Sequence, residues 1–202
     1  MNEQEKFWQG EFGTEYITRN QTNEFLKANE NLFKTIFEFT HDISSILELG
    51  ANVGMNLQAI RNLIPDVEID ALEINEVAAD ILKSKSICRN VYNGSIADAH
   101  FKHKYDLVFT KTVLIHLNEK DLEKAFQCLY NYSNKYILIA EYFNPVPVTI
   151  RYRGHDNKLF KRDFCEDLCK MFPDLKLIKY GFVYRNDPLF PLDDITWFLL
   201  EK

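Results

Sequence analysis

The sequence predicts an α/β fold: a doubly wound, mostly parallel seven-stranded sheet that ends in a C-terminal antiparallel hairpin. Three observations predict it. Between Ser45 and Ala140, short and almost continuous apolar runs alternate with segments of helical period, the pattern of parallel strands covered on both faces by crossover helices. The first run leads straight into Gly50-Ala51-Asn52-Val53-Gly54, a glycine turn where strand passes to helix. The last two strand-like segments leave no room for a crossover helix, so they must pair antiparallel.

Each element has its own signal. Residues 22–39 place Phe25, Leu26, Leu32, Phe33, Ile36 and Phe37 at helical spacing, and Ser45-Ile46-Leu47-Glu48-Leu49 follows as the first strand. After the glycine turn, Met55, Ile60, Leu63 and Ile64 continue as a helix until Pro65 stops it. Val67–Leu72 is the second strand, closed by Glu73, and Asn75 caps a helix through Val77, Ala78, Ile81 and Leu82. A third strand fits Ile87–Tyr92 and a fourth fits Tyr105–Thr110. Asn118 with Asp121 resembles a capping box ahead of Leu122, Ala125, Phe126 and Leu129, and Tyr136–Ala140 is the fifth strand. A helix over about Lys161–Phe172 then precedes Leu175–Tyr184 and Ile195–Leu200, the predicted hairpin.

One domain over residues 1–202 is expected, with 1–40 as a helical lid or cap and 41–202 as the core. At 202 residues and 46% apolar composition the chain can fill one substantial core. The formal net charge of −6 argues against a nucleic-acid surface, which needs excess Lys and Arg. No signal-peptide pattern and no membrane-length apolar run occur, so a cytoplasmic protein without membrane association is expected. Cys88, Cys128, Cys165 and Cys169 form no Cys-x-x-Cys pair, so reduced core thiols are expected and no metal site. Oligomeric state is not legible.

In open parallel sheets, ligands bind beyond the carboxyl ends of the strands where strand order reverses. Glu48, Gly50, Ala51, Asn52 and Gly54 lie there: glycine permits a tight bend and close backbone approach, and Asn52 tolerates a left-handed conformation. An ordinary strand-to-helix turn reads the same way. Glu73 ends the next strand, where a carboxylate can accept both hydroxyls of an adenosine ribose, with Ile74 beside it. The loop lacks the spaced Gly-x-Gly-x-x-Gly that cradles a pyrophosphate, which separates it from a dinucleotide site.

These residues resemble the class I S-adenosylmethionine-dependent methyltransferases, whose Rossmann-like sheet also ends in an antiparallel hairpin. The resemblance implies S-adenosylmethionine as cofactor, with Gly50 near its methionine part, Glu73 on the ribose, and Gly94-Ser95-Ile96 at the adenine. Ser95 replaces the more usual Asp, and Asp98 or backbone groups are the alternatives. Thr110 and Lys111, at the end of strand four, complete the cofactor set. Trp8, Phe12 and Tyr16 with Arg19 form the expected lid; a guanidinium can pair bidentately with the cofactor carboxylate.

More narrowly, Phe7–Gly13, Thr110–His116, Glu141–Pro145, Tyr152–His155 and Phe160–Phe164 look like the methylases associated with pseudaminic acid biosynthesis. That likeness implies a small acidic acceptor, a nonulosonic acid or a nucleotide-sugar. A hydroxyl acceptor must lose a proton, and His116 and Glu141 are the candidates to take it; either can instead be structural. Tyr142, Arg151, Arg153 and His155, within a basic stretch that also holds Lys158, Lys161 and Arg162, are expected to bind the acceptor after Asn144-Pro145-Val146-Pro147 carries the chain across the pocket mouth. A non-catalytic cofactor-binding regulatory module is the alternative; the equipped pocket favours an enzyme.

Overall fold

The computed structural model describes residues 2–17, 21–152 and 155–202. Two short helices, α1 (Glu3–Gln9) and α2 (Glu11–Tyr16), precede the long helix α3 (Asn23–Phe37). Strand β1 (Ser45–Leu49), helix α4 (Met55–Leu63), strand β2 (Glu68–Glu73), helix α5 (Glu76–Ser84) and strand β3 (Asn90–Asn93) make the first half. Strand β4 (Tyr105–Lys111), helix α6 (Glu119–Tyr132) and strand β5 (Ser133–Glu141) make the second. Then come β6 (Val148–Tyr152), β7 (His155–Lys161), α7 (Phe164–Met171), β8 (Lys176–Val183) and β9 (Ile195–Glu201).

The main sheet has seven strands in the order β3-β2-β1-β4-β5-β9-β8. All neighbours through β5 are parallel, and β9 runs antiparallel to both β5 and β8. The predicted terminal hairpin is therefore β8–β9. Alternation along the buried strands sends side chains to two cores. Leu107, Phe109 and Leu138 pack with α3 and α4 residues such as Phe33 and Ile60. Val108, Ile137 and Ile139 pack with Leu122 and Phe126 of α6 and Leu168 of α7. Successive residues of one strand serving opposite apolar layers is what a continuous apolar run encodes.

The structure departs from the sequence reading in places. Strand β3 starts at Asn90 rather than Ile87: Ser86 takes a left-handed φ of 55°, Ile87 tucks into the core, and the main chain first meets β2 where the Arg89 N–H donates to the Ile69 carbonyl at 2.7 Å. Helix α7 starts at Phe164, because Lys161 closes β7 and the Asp163 carboxylate caps the Glu166 N–H at 2.8 Å. The basic stretch, to which the sequence reading assigned no strand, forms a separate two-stranded antiparallel sheet, β6–β7. Its buried Leu159 joins the core that holds Leu114 and Ile115. Among the described residues, no helix is long and apolar enough to cross a membrane.

Candidate functional site

Because β1 sends the chain outward to β2 and β3 while β4 lies on its other side, the turns after β1 and β4 part company and leave a cleft at the carboxyl edge. Gly50, Ala51, Asn52, Glu73, Ile74 and Lys111 line it, as do Gly94, Ser95 and Ile96. Gly50 (φ 83°), Asn52 (φ 48°) and Gly54 (φ 77°) are all left-handed. A Cβ on Gly50 would come within 2.6 Å of Val113 Cγ2, and one on Gly54 within 2.3 Å of Leu82 Cδ1, so both positions need glycine for space as well as for conformation.

Glu73 locks this turn. Its Oε2 accepts the Asn52 N–H at 2.7 Å and its Oε1 accepts the Asn75 N–H at 2.8 Å. Burial raises its carboxyl above the ordinary range, against those hydrogen bonds. A carboxylate has about four acceptor directions, so the two bonds leave capacity for ligand hydroxyls. The buried side-chain oxygens of Asn52 and Asn56, two residues of the cleft wall, receive no protein hydrogen bond. A ligand that brings hydroxyls and an ammonium group would supply the donors these oxygens lack.

Glu48 sits beneath the loop rather than on the cleft wall. It is fully buried, accepts Asn56 Nδ2 at 2.7 Å, and its carboxyl is pushed up to about 8 by burial. Lys111 lies at the same end of the cleft, its Nζ 5.2 Å from the Phe25 ring centroid, and burial lowers its pKa. Thr110 is fully buried behind it. Arg19 lies outside the described residues.

Helices α1 and α2 roof the cleft. Glu5, Trp8, Gly13 and Tyr16 line its upper wall. Trp8 and Tyr16 meet edge to face with centroids 5.4 Å apart, and the Trp8 ring lies over His116 at 4.4 Å. A Cβ on Gly13 would fall 1.8 Å from the Trp8 carbonyl, which explains glycine where α2 folds back on α1. Asn75 secures this roof in a way the sequence did not reveal. Its Oδ1 caps α5 by accepting the Ala78 N–H at 3.0 Å, and its Nδ2 lies 3.2 Å from the Trp8 and Gln9 carbonyls and 3.2 Å from Thr14 Oγ1.

The two candidate proton acceptors part company. His116 is buried in the turn Leu114–His116 and lines the cleft beneath Trp8. Glu141 does not line it. Its Oε1 accepts the Val113 and Leu114 N–H groups at 3.0 and 3.1 Å and its Oε2 accepts Ile115 N–H at 3.4 Å. Burial pushes its carboxyl up to about 7, while these bonds pull the other way. The geometry thus makes Glu141 the post that holds the His116 turn, in place of the cleft-facing acid the sequence suggested.

With this geometry in view, comparison with known proteins is direct. Residues 46–135 match the sequence model of a family described as "Methyltransferase domain". This segment is a methyltransferase domain. No curated protein matches the chain by sequence. Among solved structures, the chain is similar to a S-adenosylmethionine-dependent methyltransferase from Clostridium acetobutylicum ATCC 824 (12% identity, 94% of this chain and 97% of that one, TM-score 0.64). It is similar to the plantazolicin methyltransferase BpumL in complex with SAH (18% identity, 98% and 93%, TM-score 0.66). It also resembles the glycopeptide N-methyltransferase MtfA complexed with sinefungin (10% identity, 85% and 85%, TM-score 0.63). At these identities the shared property is the fold.

Beyond the methyltransferase domain, the β6–β7 hairpin carries the remaining predicted residues. Arg151 is exposed on β6, and Tyr142 lies under the Lys161 ammonium, 5.2 Å from ring centroid to Nζ. Arg162 is committed locally, to Asp167 at 2.5 Å. Arg153 lies outside the described residues, as does the side chain of His155. Of the four cysteines expected as core thiols, Cys128 and Cys165 are buried and Cys88 and Cys169 only partly so; burial pushes the Cys128 thiol up to about 12.

Proposed function

We propose that this methyltransferase domain takes its methyl group from S-adenosylmethionine and passes it, in the cytoplasm, to a small acidic acceptor, a nonulosonic acid of pseudaminic type or a nucleotide-linked sugar. The observation that carries the cofactor reading is the Glu73 carboxylate, buried on the cleft wall and tied to the left-handed glycine turn by the Asn52 N–H. Glu73 holds the ribose hydroxyls; Asn52, Asn56 and Lys111 meet the polar groups of the amino-acid portion. Bound there, the cofactor supplies an electrophilic methyl group on a positive sulfur.

The chain's own contribution is position and proton handling. His116 accepts the acceptor's proton as the new bond forms, and Trp8 covers its ring to keep water out. Glu141, by fixing three successive backbone N–H groups, keeps His116 aimed into the cleft. Its presence there favours an enzyme over a binding module. What supports an acidic acceptor is the basic hairpin: β7 runs beside the Leu114–His116 turn, and Arg151 with Arg153 offers guanidinium forks suited to carboxylate or phosphate.

The test is incubation of the chain with methyl-labelled cofactor and a panel of nonulosonic acids and nucleotide-sugars. Label should transfer to an anionic member, and Arg151→Ala with Arg153→Ala should raise its KM strongly while leaving cofactor affinity unchanged. Unaltered acceptor kinetics in the double variant would remove the acidic-acceptor reading.

A further inference from the structure

Strand β8 ends the main sheet, yet its apolar residues face solvent. In a strand packed on one side, polar residues belong on the open face and apolar residues on the core face. Here the face toward the end of α3 carries Lys179, whose Nζ lies 4.9 Å from the Phe39 ring centroid, and then Gly181. The room on that face is taken from β9 instead: a Cβ on Gly181 would fall 2.6 Å from the Trp197 side chain. Alternation sends Leu177, Tyr180 and Phe182 the other way, with Tyr184 just past the strand end. Their register partners Leu200 and Phe198 belong to the core on the α6 and α7 side.

These side chains form one surface. Tyr180 stacks on Phe198 with centroids 6.3 Å apart, Phe143 reaches the same ring at 6.1 Å, and Phe182 meets Tyr184 at 6.4 Å. Leu177, Tyr180, Phe182 and Tyr184 are 47%, 64%, 60% and 49% exposed, although α6 and α7 cover the same side of the sheet nearer its middle. At about 200 Å² for a whole aromatic side chain, the strip with Phe143 leaves about 500 Å² of apolar surface in one patch. That is near the top of the roughly 300–600 Å² of a monomer's largest patch. A stable interface takes about 800 Å² from each partner, so the strip can supply most of one, with main chain and rim adding the rest.

The chemistry of the strip selects its occupant. Its side chains are uncharged, and Lys179 lies on the other face. A charged partner would bury its charges there unpaired, and a chain of net charge −6 is not drawn to an anionic membrane. A second copy brings a matching uncharged aromatic surface, and a twofold axis lays patch on patch, the commonest closed arrangement of identical chains. We propose that the chain forms a twofold dimer in which the Tyr180 and Phe182 face of β8 packs against the same face of a second copy. The second copy also rests on Phe143, whose backbone bridges to Arg162 at the foot of the β6–β7 hairpin.

Sedimentation equilibrium on the full chain across micromolar concentrations tests this, and wild type should show twice the chain mass. Tyr180→Lys with Phe182→Lys sets cations against cations and should weaken the dimer by roughly a hundredfold or more, the effect of losing central aromatic anchors. Circular dichroism should not change, because both residues are exposed. Tyr180→Glu with Phe182→Glu should dissociate the dimer in the same way, and an equimolar mixture of the two variants should restore it, since opposite charges meet only if the patch faces itself. A wild-type chain that stays monomeric, or a dimer that survives the lysine variant unweakened, would overturn the proposal. A wild-type monomer that floats with phosphatidylcholine vesicles, when the lysine variant does not, would overturn it in favour of a lipid surface.

Discussion

The floor and the roof of the cleft are built by opposite means. The floor, from β1 through the glycine turn to the end of β2, is set by main chain: three left-handed residues, two glycines with no space for a Cβ, and backbone N–H groups that converge on Glu73. The roof, α1 and α2, is set by side chains that reach across the sequence, with Trp8 over His116, Ser95 on Glu5, and Asn75 against the end of α1. A main-chain site is stiff and tolerates little substitution, whereas a side-chain site can be loosened one contact at a time. The two should therefore fail differently.

The largest expected effect falls where the roof meets the chemistry. His116→Ala should lower turnover by roughly a hundredfold or more, the usual contribution of a positioned acid or base, with cofactor affinity little changed. Glu141→Gln should lower it less, since one amide oxygen still accepts part of the turn. Stopped-assay rates alongside calorimetry separate the two, and wild-type turnover in His116→Ala would point to an acceptor that is already ionised.

Glu73 is the side chain on which the backbone N–H groups of the floor converge. Glu73→Ala should weaken S-adenosylhomocysteine by about 1.5–3 kcal/mol, as for a lost hydrogen bond to a charged group. Unchanged affinity in calorimetry would sink the ribose assignment. Asn75→Ala sharpens the contrast, because it removes a helix cap worth about 1 kcal/mol and releases α1 together. Chemical denaturation should show the small loss, and limited proteolysis should cut first between Asn2 and Tyr16.

The smallest effect concerns pH. Burial raises the Glu48 carboxyl to about 8, so the folded state holds that proton more tightly than the unfolded chain. Between about 4.5 and 8 the native state then binds more protons, and this group's contribution to stability declines as pH rises. Glu48→Gln keeps the shape without the titration. Its melting temperature should fall less than that of wild type between pH 5 and 8, and parallel curves would show that Glu48 does not titrate there.

The floor was largely legible in the sequence. Ser45–Leu49 and Tyr105–Thr110 declare themselves as buried strands because each residue faces apolar neighbours, and a glycine pair at a strand end leaves few conformations open. Glu73 could be placed on the cleft wall because it ends β2. A lid of Trp8, Phe12 and Tyr16 was expected from the sequence, but the ties that place it were not legible, since Glu5 to Ser95, Trp8 to His116 and Asn75 to the end of α1 each span sixty or more residues. Glu141 shows a related blindness: an acid at a strand end reads alike whether it faces ligand or backbone. The β6–β7 hairpin does leave a trace in the sequence. Val148, Ile150 and Tyr152 alternate with Thr149 and Arg151, a period of two obscured by the prolines just before it.

Asn75 belongs to floor and roof at once, its N–H on the Glu73 carboxylate and its side chain on α1. A residue wired this way makes the two events thermodynamically conjugate. Whatever factor roof closure adds to the affinity of a ligand on Glu73, the ligand returns to roof closure in full, because free energy does not depend on the order of the steps. The chain thus needs no separate signal to report that its floor is occupied.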